Sequence, residues 1–410
     1  MSIKRVKQCA VRQGDRAVVV VVTKLLRRTL AIFIVAGPSI LAGPAAHATV
    51  LPDERADILF HEFSGGGVTI SGPSILVRKN ATTNTSVFYN YYVDHVSSAS
   101  LDVMTGGSPY VENRTEQSGG IDYLHGKTKL GMSYTNSVEN DYKAGTLNLK
   151  VSQDFFGDLS TLTLGYTNGK DSVSRRGLSY DLSKIDRQNY RVGLSQILSK
   201  NLVMGLNWET ITDDATSLNG STVTLNNPYR SYSYFDSATG NRGFAPEKYP
   251  NTRTSNALAI TGSYFLSYRA ALHGEIKYYQ DSWGVRASMY KIGYTYPLGN
   301  WIFDFRSRWY SQDKANFYSD MFDFQDQYAF MARDRELATF DDVTVGMSAS
   351  FEFAKNGWGW IDKGSVNLSW DHIEFNYKDY RNTLAGGTAG TEPLYNYGAN
   401  IYQFFVSVWY

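Results

Sequence analysis

Residues 290–309 read YKIGYTYPLGNWIFDFRSRW, and two runs of alternating side chains meet in this stretch at a tight turn. In the first run, large apolar side chains occupy every second position, at Tyr290, Ile292, Tyr294 and Tyr296. After the turn at 297–300 the second run alternates again, with Asp304, Arg306 and Arg308 placed between bulky aromatic residues. Side chains of a β-strand point alternately to opposite faces of the sheet. The stretch therefore predicts an antiparallel hairpin with one apolar and one polar face.

The same alternation recurs along most of the chain, and the connections between the runs differ in length. Further alternating runs occupy 147–152, 161–166, 189–195, 202–209, 272–278 and 345–353. Short connections lie at 155–158, 199–201, 267–268 and 297–300, and long ones at 171–185, 213–253, 313–340 and 378–396. Only the connection at 280–284 is short although it lies at the end of the barrel where the long loops are expected. A soluble β-sandwich would show the same alternation but has no reason to segregate its connections by length. Short turns at one end and long loops at the other are typical of an outer-membrane β-barrel.

The carboxyl-terminal residues add a third signal. The last alternating run places apolar residues at Tyr402, Phe404, Val406, Val408 and Tyr410. This run resembles the terminal strand by which barrel-assembly machinery recognises its clients, and Phe404, Val406, Val408 and Tyr410 are its candidate assembly signal. Counting strands by parity gives 14 between residues 85 and 410, and the segments 68–79 and 57–63 bring the number to 16, with 14 as the alternative. The predicted fold is all-β: a transmembrane antiparallel up-and-down β-barrel with short periplasmic turns and long extracellular loops, embedded in outer-membrane lipid.

The amino-terminal segment is predicted to be a signal peptide. Lys24, Arg27 and Arg28 precede an apolar stretch at 30–41, and Ala46-His47-Ala48 forms a small-x-small cleavage site. These features predict cleavage after Ala48, export, and a single barrel domain over 49–410 in the Gram-negative outer membrane. Residues 1–48 contain eight of the 40 Lys and Arg residues, one of the 39 acidic residues, and Cys9, the single cysteine. The remaining chain has 32 basic and 38 acidic residues, so it has no basic footprint for nucleic acid and no thiolate metal site.

Several segments resemble a known family. GPSILVRK (72–79), YYVDHVSSASLDV (91–103), GIDYLHGKT (120–128), SQDFFGDLS (152–160) and IDKGSVNLSWDHIEF (361–375) resemble the bacterial outer-membrane family called domain of unknown function 3570. The resemblance extends over nearly all of 55–410. It implies a barrel fold and genes that lie near small lipoproteins and flavin-transfer or thioredoxin-like enzymes. It implies no established activity, so the function has to be argued from the residues.

The polar face of the predicted barrel carries both signs of charge. Its inward-facing charged residues are Lys150, Arg191, Glu209, Glu275, Lys277, Lys291, Asp304, Arg306, Arg308 and Glu352. In an open lumen, a cationic cluster facing acids would create a transverse field that favours small polar or anionic solutes. Lys277, Lys291, Arg306 and Arg308 would then tune the charge preference. The alternative is that these charges pair across strands and stiffen the interior.

Two loops have distinctive compositions. The loop at 213–253 carries Tyr229, Tyr232, Tyr234, Phe235 and Phe244, and is expected to fold into the pore, to contact a partner, or to pack on itself. The loop at 313–342 contains eight Asp and Glu residues against three cations, and it lacks the ordered spacing of an EF-hand. This composition favours a solvated acidic loop, and no metal site or cofactor is expected.

Catalysis has little support in the sequence. An esterase would need a serine and a histidine on one face, and strand parity sends His273 to the lumen and Ser288 to the lipid. The chain is therefore predicted to be no enzyme. The first hypothesis is a porin-like passage for small polar or anionic solutes. The second is an outer-membrane scaffold that houses or docks a small lipoprotein or redox partner without free conductance.

Overall fold

The computed structural model describes residues 50–106 and 109–410, and the signal segment expected at 1–48 lies outside these residues. Eighteen strands are formed by the described residues: β1 (Arg55–Gly65), β2 (Val68–Thr82), β3 (Thr85–Ser98), β4 (Tyr110–His125), β5 (Thr128–Val138), β6 (Tyr142–Phe155), β7 (Ser160–Val173), β8 (Ser183–Ile197), β9 (Leu202–Ser217), β10 (Ser231–Asp236), β11 (Asn241–Pro246), β12 (Thr252–Phe265), β13 (Ala271–Asp281), β14 (Arg286–Leu298), β15 (Trp301–Gln312), β16 (Phe340–Phe353), β17 (Lys363–Arg381) and β18 (Leu394–Trp409).

Sixteen of these strands close into one antiparallel barrel, and β10 and β11 form a separate hairpin. Each barrel strand pairs with its neighbours along the chain, so β9 pairs with β12 across the hairpin. The closure is made by β1 and β18, which pair from Arg55↔Trp409 to Gly65↔Ala399. The up-and-down barrel and the count of 16 strands are thus confirmed. Closure matters because an unpaired strand edge cannot be tolerated in lipid, where no water satisfies backbone N–H and C=O groups.

The two faces of the wall differ as the alternation predicted. Apolar residues on one face are exposed, among them Ile58, Leu149, Ile292 and Phe404. Residues on the opposite face are mostly polar and more buried, as Asp57, Asp304 and Ser348 are. An apolar outer belt with a polar interior is the arrangement of a transmembrane β-barrel.

The connections separate into two ends. Both chain ends and short turns, such as 83–84, 126–127, 198–201 and 299–300, lie at one end, which we call the terminal end. The other end, the loop end, carries the long connections at 218–251, 313–339 and 382–393. Three connections at the loop end are short, at 66–67, 139–141 and 282–285. The sequence predicted a single short connection at this end, so the division of the connections by length is less strict than expected. Gly67 adopts φ +75° in the first of these, where a Cβ would meet the Ala99 carbonyl oxygen at 2.6 Å.

The helices of the described residues are short. An α-helix, α1, spans Leu101–Gly106 in the connection between β3 and β4, and 3₁₀ turns lie at Arg335–Leu337 and Thr383–Ala385. None of the helices in this part of the chain is long and apolar enough to cross a membrane.

Candidate functional site

The ten charged residues predicted to face the interior share one face of the wall. Cross-strand partners in a sheet point to the same side, and so do alternate residues of one strand. Lys150 pairs through Gly165 with Arg191, which pairs with Glu209, and Glu275 pairs with Lys291, which pairs with Arg308. The remaining four, Lys277, Asp304, Arg306 and Glu352, lie an even number of positions from these residues on the same or paired strands. The structure therefore places all ten on the inner face.

Ion pairs between strands neutralise much of this inner charge. Arg306 Nε donates to Asp371 Oδ1 at 2.6 Å, and Arg308 Nη2 donates to Asp342 Oδ1 at 2.6 Å. Arg191 Nε donates to Glu209 Oε1, also at 2.6 Å. Charge-assisted bonds of this kind fix both side chains against the wall. On the inner face, cations and acids therefore pair locally, and no cationic patch faces an acidic patch across the described part of the barrel.

Lys150, Asp304 and Glu352 have other surroundings. Lys150 is exposed on the inner face. Asp304 is buried and accepts hydrogen bonds from Thr295 Oγ1 at 2.5 Å and from Ser348 Oγ at 3.1 Å. Glu352 lies near the terminal end, where Lys355 Nζ is 2.9 Å from its Oε2.

The acidic partners of the arginines were missed in the sequence. Asp342 was assigned to a loop ending at residue 342, but β16 begins at Phe340, so Asp342 is an inward-facing strand residue. Asp371 lies on β17 and pairs with Gly346, which also pairs with Arg306. Gly346 has no side chain between them, so the arginine of β15 reaches the aspartate two strands away. The Arg308–Asp342 pair can be found only if the start of β16 is known, and the Arg306–Asp371 pair only if Gly346 is placed between the two residues.

A second polar cluster on the inner face was also missed. His61 and Asp94 are fully buried, and His61 Nε2 lies 2.8 Å from Asp94 Oδ1. Tyr92 donates to the same Asp94 oxygen at 2.8 Å and stacks on the His61 ring at 4.9 Å. Arg114 closes the cluster, since its Nη1 is 3.2 Å from Asp94 Oδ2 and its Nη2 is 2.7 Å from Glu116 Oε2. The cluster joins β1, β3 and β4 beside the barrel closure.

His273 is hydrogen-bonded on the inner face. Its Nδ1 lies 2.9 Å from Ser263 Oγ and its Nε2 lies 3.2 Å from Thr295 Oγ1. Ser288 pairs with Tyr278, whose side chain is on the exposed apolar face. The structure thus keeps His273 and Ser288 on opposite faces of the wall.

The long loops fold together into a cap over the loop end, comprising residues 218–251, 313–339 and 382–393. The apolar underside of this cap, including Leu225, Tyr249 and Leu337, joins one buried cluster with inward wall residues such as Tyr279, Tyr310 and Phe340. Gln312, an inward residue of β15, donates to the carbonyl oxygens of Glu336 and Ala338 at 2.9 and 2.8 Å. The cap therefore fills part of the barrel interior at the loop end.

Ion pairs tie the three parts of the cap to one another. Arg242 of β11 donates to Glu392 Oε1 at 2.6 Å and to the carbonyl oxygen of Asp320 at 2.7 Å. Arg333 Nη2 donates to the carbonyl oxygen of Arg381 at 2.7 Å. The hydrogen bonds from Arg242 lower the pKa of Glu392 to about 2, against its ordinary value of 4.5. The parts of the cap are thus held by one another and, at Arg381 of β17, by the wall.

The aromatic residues singled out in the loop at 213–253 divide into two groups. Tyr232 is fully buried, packs on Phe322 at 5.6 Å between ring centroids, and donates to Asp326 Oδ1 at 3.0 Å. Tyr234 packs beside it. Tyr229, Phe235 and Phe244 remain exposed. The hairpin β10–β11 was not predicted, and it joins the other long loop through the bridge between Tyr234 and Phe322.

The expectation of a solvated acidic loop was wrong for its second half. Arg333, Asp334, Arg335 and Glu336 are all buried. Arg230, whose side chain is 8% exposed, lies between Asp334 and Glu336, with Nη2 3.3 Å from Glu336 Oε1. Asp334 and Glu336 pair with Arg230 of the neighbouring loop, and Arg333 pairs with Asp320 of its own loop.

Two cavities border the cap. A groove of about 710 Å³ on the β13–β15 side is lined by Trp283, Phe317, Tyr328 and Phe330, among others. A second cavity, of about 480 Å³, lies where the cap meets the ends of β4 to β8. Glu112, Glu139 and Asp141 bring carboxylate oxygens within 4.8 Å of one another beside this second cavity and are a set that could hold a cation.

The candidate assembly signal lies in the closing strand. Phe404 is exposed on the outer face, and Val406 and Val408 follow it at alternate positions. Tyr410 donates from its hydroxyl to the Arg78 carbonyl oxygen at 3.1 Å, which ties the end of the chain to β2.

Fold and site together define the class: a transmembrane β-barrel with a charged inner wall and a folded cap at one end. The chain belongs to the family described as a protein of unknown function (DUF3570), whose model matches residues 66–191 and 183–362. The resemblance stated from the sequence motifs is thus confirmed. No curated protein matches the chain in sequence.

The chain is similar in backbone shape to solved outer-membrane proteins. A bacterial polysaccharide outer membrane secretin has 8% identity and a TM-score of 0.45, with 88% of this chain and 100% of that chain covered. A FadL homologue of Pseudomonas aeruginosa has 8% identity and a TM-score of 0.42, with 90% and 93% covered. OccK2 (OpdF) of Pseudomonas aeruginosa, solved in complex with glucuronate, has 9% identity and a TM-score of 0.41, with 87% and 99% covered. Likenesses of this degree concern the barrel shape alone.

Proposed function

We propose that the protein is an outer-membrane channel for small polar solutes, with weak charge selectivity. The observation that carries this proposal is a closed barrel of 16 strands with an apolar outer belt and a charged inner wall. A barrel of about 16 strands is too wide for its own wall side chains to fill, so water occupies the remaining space. Charged side chains on the inside are stable there because they are paired and hydrogen-bonded.

In this proposal the terminal end faces the periplasm and the loop end faces the outside of a Gram-negative cell. In outer-membrane barrels the short turns lie on the periplasmic side and the long loops lie on the extracellular side. Residues 1–48 would direct export and be removed after Ala48. Assembly would use the strand ending in Phe404, Val406, Val408 and Tyr410, as expected of a client of the barrel-assembly machinery.

The cap sets the size of solute that passes. Because its underside packs against inward residues such as Tyr279 and Tyr310, the passage at the loop end is narrower than the wall alone would give. Selectivity would be weak because Arg306 and Arg308 are paired with acids and the other two cations of this region, Lys277 and Lys291, lie beside Glu275. Small polar or anionic solutes suit such a passage better than large or apolar ones.

Planar-bilayer recording of the purified barrel tests the proposal. The mature chain should give stepwise currents, and replacing the hairpin residues 231–246 by a short glycine linker should increase the size of each step. The matched control is a shortened turn at 354–362, which lies at the terminal end and should leave the step unchanged. Folded barrel that inserts into the bilayer but carries no current in either variant would reject the channel.

The second candidate is a scaffold that docks or houses a lipoprotein or redox partner with little conductance. The packing of the cap into the barrel mouth favours it, because a filled mouth conducts poorly. A silent native barrel that co-purifies with one lipoprotein, and loses it when the cap is shortened, would support this candidate instead.

A further inference from the structure

The groove of about 710 Å³ beside the β13–β14 turn has an aromatic floor that is fixed in place. Trp283, in the turn, is 4% exposed, and its ring centroid lies 5.2 Å from that of Phe317. The Trp283 indole N–H donates to the Thr252 carbonyl oxygen at 2.9 Å, and the Arg253 guanidinium lies 4.4 Å from the centroid of the indole ring. The floor is therefore formed before any ligand arrives, which reduces the entropic cost of binding.

Two further aromatic residues extend this floor to the surface. Tyr328 is 59% exposed and Phe330 is 44% exposed. The ring centroid of Phe330 lies 6.5 Å from that of Phe317. The ring centroid of Tyr328 lies 6.2 Å from that of the buried Phe322. The volume of the groove is within the range of roughly 300–1,000 Å³ that small-molecule sites occupy, so the groove is large enough for a ligand to lie along these rings.

One polar side chain of the groove is positioned by a glycine turn. The Asn316 backbone N–H donates to the Trp283 carbonyl oxygen at 2.8 Å, and the residue is exposed. Its carboxamide lies against Gly284, which adopts φ +92° and where a Cβ would come within 2.4 Å of Asn316 Oδ1. The glycine thus leaves room for a carboxamide beside the aromatic floor. A carboxamide both donates and accepts hydrogen bonds.

The turn at 323–327 supplies a second set of polar groups. Gln327 Nε2 donates to Asp323 Oδ2 at 3.1 Å and to the Tyr328 hydroxyl at 3.3 Å. The Asp323 backbone N–H donates to Gln327 Oε1 at 3.0 Å. Asp323 is exposed, and an ionised carboxylate only accepts hydrogen bonds. The lining therefore combines aromatic rings with acceptors and donors that are held by one another.

The charge of the lining limits the ligands that it suits. Among the described residues that line the groove, Asp323 is the single acid and none is Lys, Arg or His. An anionic ligand would find no cation there and would meet the Asp323 carboxylate. A wholly apolar ligand would cover the polar groups without giving them a hydrogen-bond partner, which is costly. A neutral ligand with hydroxyl groups and an apolar face meets both requirements.

The groove lies beyond the lipid-facing belt of the wall. On the outer face of the β13–β14 hairpin the apolar side chains end at Tyr278 and Tyr290. The next outward positions towards the loop end are polar: Gln280, Ser288 and Arg286. Polar side chains on the outer face indicate water rather than acyl chains at this level. The exposed rings of the groove, past the end of this hairpin, therefore meet water and not lipid.

From these observations we propose that the groove binds a neutral oligosaccharide. The C–H face of a sugar ring packs on Tyr328 and Phe330, while sugar hydroxyl groups donate to the Asp323 carboxylate and exchange hydrogen bonds with the Asn316 carboxamide. The inference deepens the proposed function and rests on it for the route by which the bound sugar enters the barrel. It names a class of solute: neutral saccharides, held at the loop end before passage.

Binding to the full barrel tests the proposal, in a detergent whose headgroup is not a sugar. The probes are the neutral trisaccharides maltotriose, cellotriose and mannotriose, each titrated and followed by saturation-transfer difference NMR. At least one should bind saturably, and irradiation of the aromatic protons of the protein should transfer saturation to the C–H protons of its sugar rings.

Variants of the aromatic side assign the binding to the groove. Tyr328→Ala with Phe330→Ala should weaken the trisaccharide about tenfold or more, because two rings lose their contact with the sugar. Phe324→Ala is the matched control, since Phe324 is 58% exposed in the same loop and lies outside the lining. This control should bind as the wild-type chain does. Circular dichroism establishes that each variant retains its β-structure.

Variants of the polar side test the hydrogen bonds separately. Asp323→Ala with Asn316→Ala should weaken the trisaccharide about tenfold, as expected for loss of a charged hydrogen-bond acceptor. Asp313→Ala with Gln325→Ala removes an exposed acid and an exposed amide of the same loop outside the lining, and should leave binding unchanged. Phenyltrimethylammonium and decanoate serve as cationic and fatty-acid probes, and neither should displace the trisaccharide.

Three outcomes overturn the inference: no binding of any of the trisaccharides, binding that is the same in the Tyr328 and Phe330 variant as in the wild-type chain, or binding of phenyltrimethylammonium or decanoate in place of a trisaccharide. The last would make the groove a site for an organic cation or a fatty acid. A barrel that conducts without binding trisaccharide refutes only this inference. A barrel that binds trisaccharide without conducting refutes only the channel.

Discussion

Arg306 and Arg308 point into the barrel from β15, and each has a carboxylate partner on β17 or β16. A guanidinium close to a carboxylate contributes little net field at a distance, because the two charges largely cancel. The pairs therefore matter for conduction chiefly when one member is lost. Removal of the arginine leaves a fixed negative charge on the wall.

Replacing Arg306 and Arg308 together by alanine should shift the channel towards cations. The change leaves Asp371 and Asp342 without their arginines, so the inner wall gains net negative charge at this level. The reversal potential in a salt gradient measures the shift. Adding Asp371→Asn and Asp342→Asn to the same variant restores neutrality and should return the potential towards that of wild type. An unchanged reversal potential in the double alanine variant would show that these residues do not line the ion path.

Strand parity was enough to place the ten charged residues on the inner face, because the side-chain period of a strand is two. Parity says nothing about which charges meet. Arg306 reaches Asp371 because Gly346 lies between them on the intervening strand. Such a contact depends on the register of three strands at once, and no single segment of sequence encodes it.

Arg114→Ala should destabilise the barrel by about 3 kcal/mol, because removing one partner of a buried ion pair leaves an uncompensated charge. Asp94, fully buried, would retain only His61 and Tyr92 as partners in the cluster. Urea unfolding in lipid vesicles measures the difference. The exposed pair of Lys79 with Glu54, at 3.4 Å, is the control, and Lys79→Ala should cost less than about 1 kcal/mol. Equal costs for the two variants would contradict the structural role of the cluster.

Among the elements, the strands were predicted well and the cap was not. The alternation of apolar and polar residues identified the strands, including β1 and β2 at the start of the barrel, because one face of each meets lipid. The cap is built from contacts between loops that are far apart in the chain, such as that of Arg242 with Glu392, 150 residues away. The hairpin β10–β11 and the buried segment 333–336 therefore could not be derived from local pattern.

The loop at 382–393 should loosen in acid. The folded-state pKa of Glu392 is lowered from 4.5 to about 2 by its hydrogen bonds with Arg242, so its contribution is present above pH 4.5 and is lost as the pH falls through 2. Amide hydrogen exchange of 382–393, followed from pH 5 to pH 2 and corrected for intrinsic rates, should show falling protection. Glu392→Gln should be less protected at pH 5 and lose the pH dependence. Constant protection in the wild-type chain would contradict the role of this ion pair.

At the scale of the whole molecule, every barrel strand has to present one face to lipid outside and the other face to water inside. Strand β6 shows this in consecutive residues: Leu147, Leu149 and Val151 are exposed on the apolar face, whereas Lys150 is exposed on the inner one. An exposed lysine is stable there because water reaches its ammonium group. The barrel fold was predictable because this requirement recurs in strand after strand.

Single-cysteine labelling of β6 tests that arrangement most directly. In a Cys9→Ser background, which removes the single native cysteine, each residue from Leu147 to Val151 is replaced by cysteine in turn and exposed, in membranes, to a charged maleimide. Positions 148 and 150 should react and positions 147, 149 and 151 should not, because only the inner face meets water. Reactivity without alternation, or no reaction at position 150, would contradict a water-filled barrel of this sidedness.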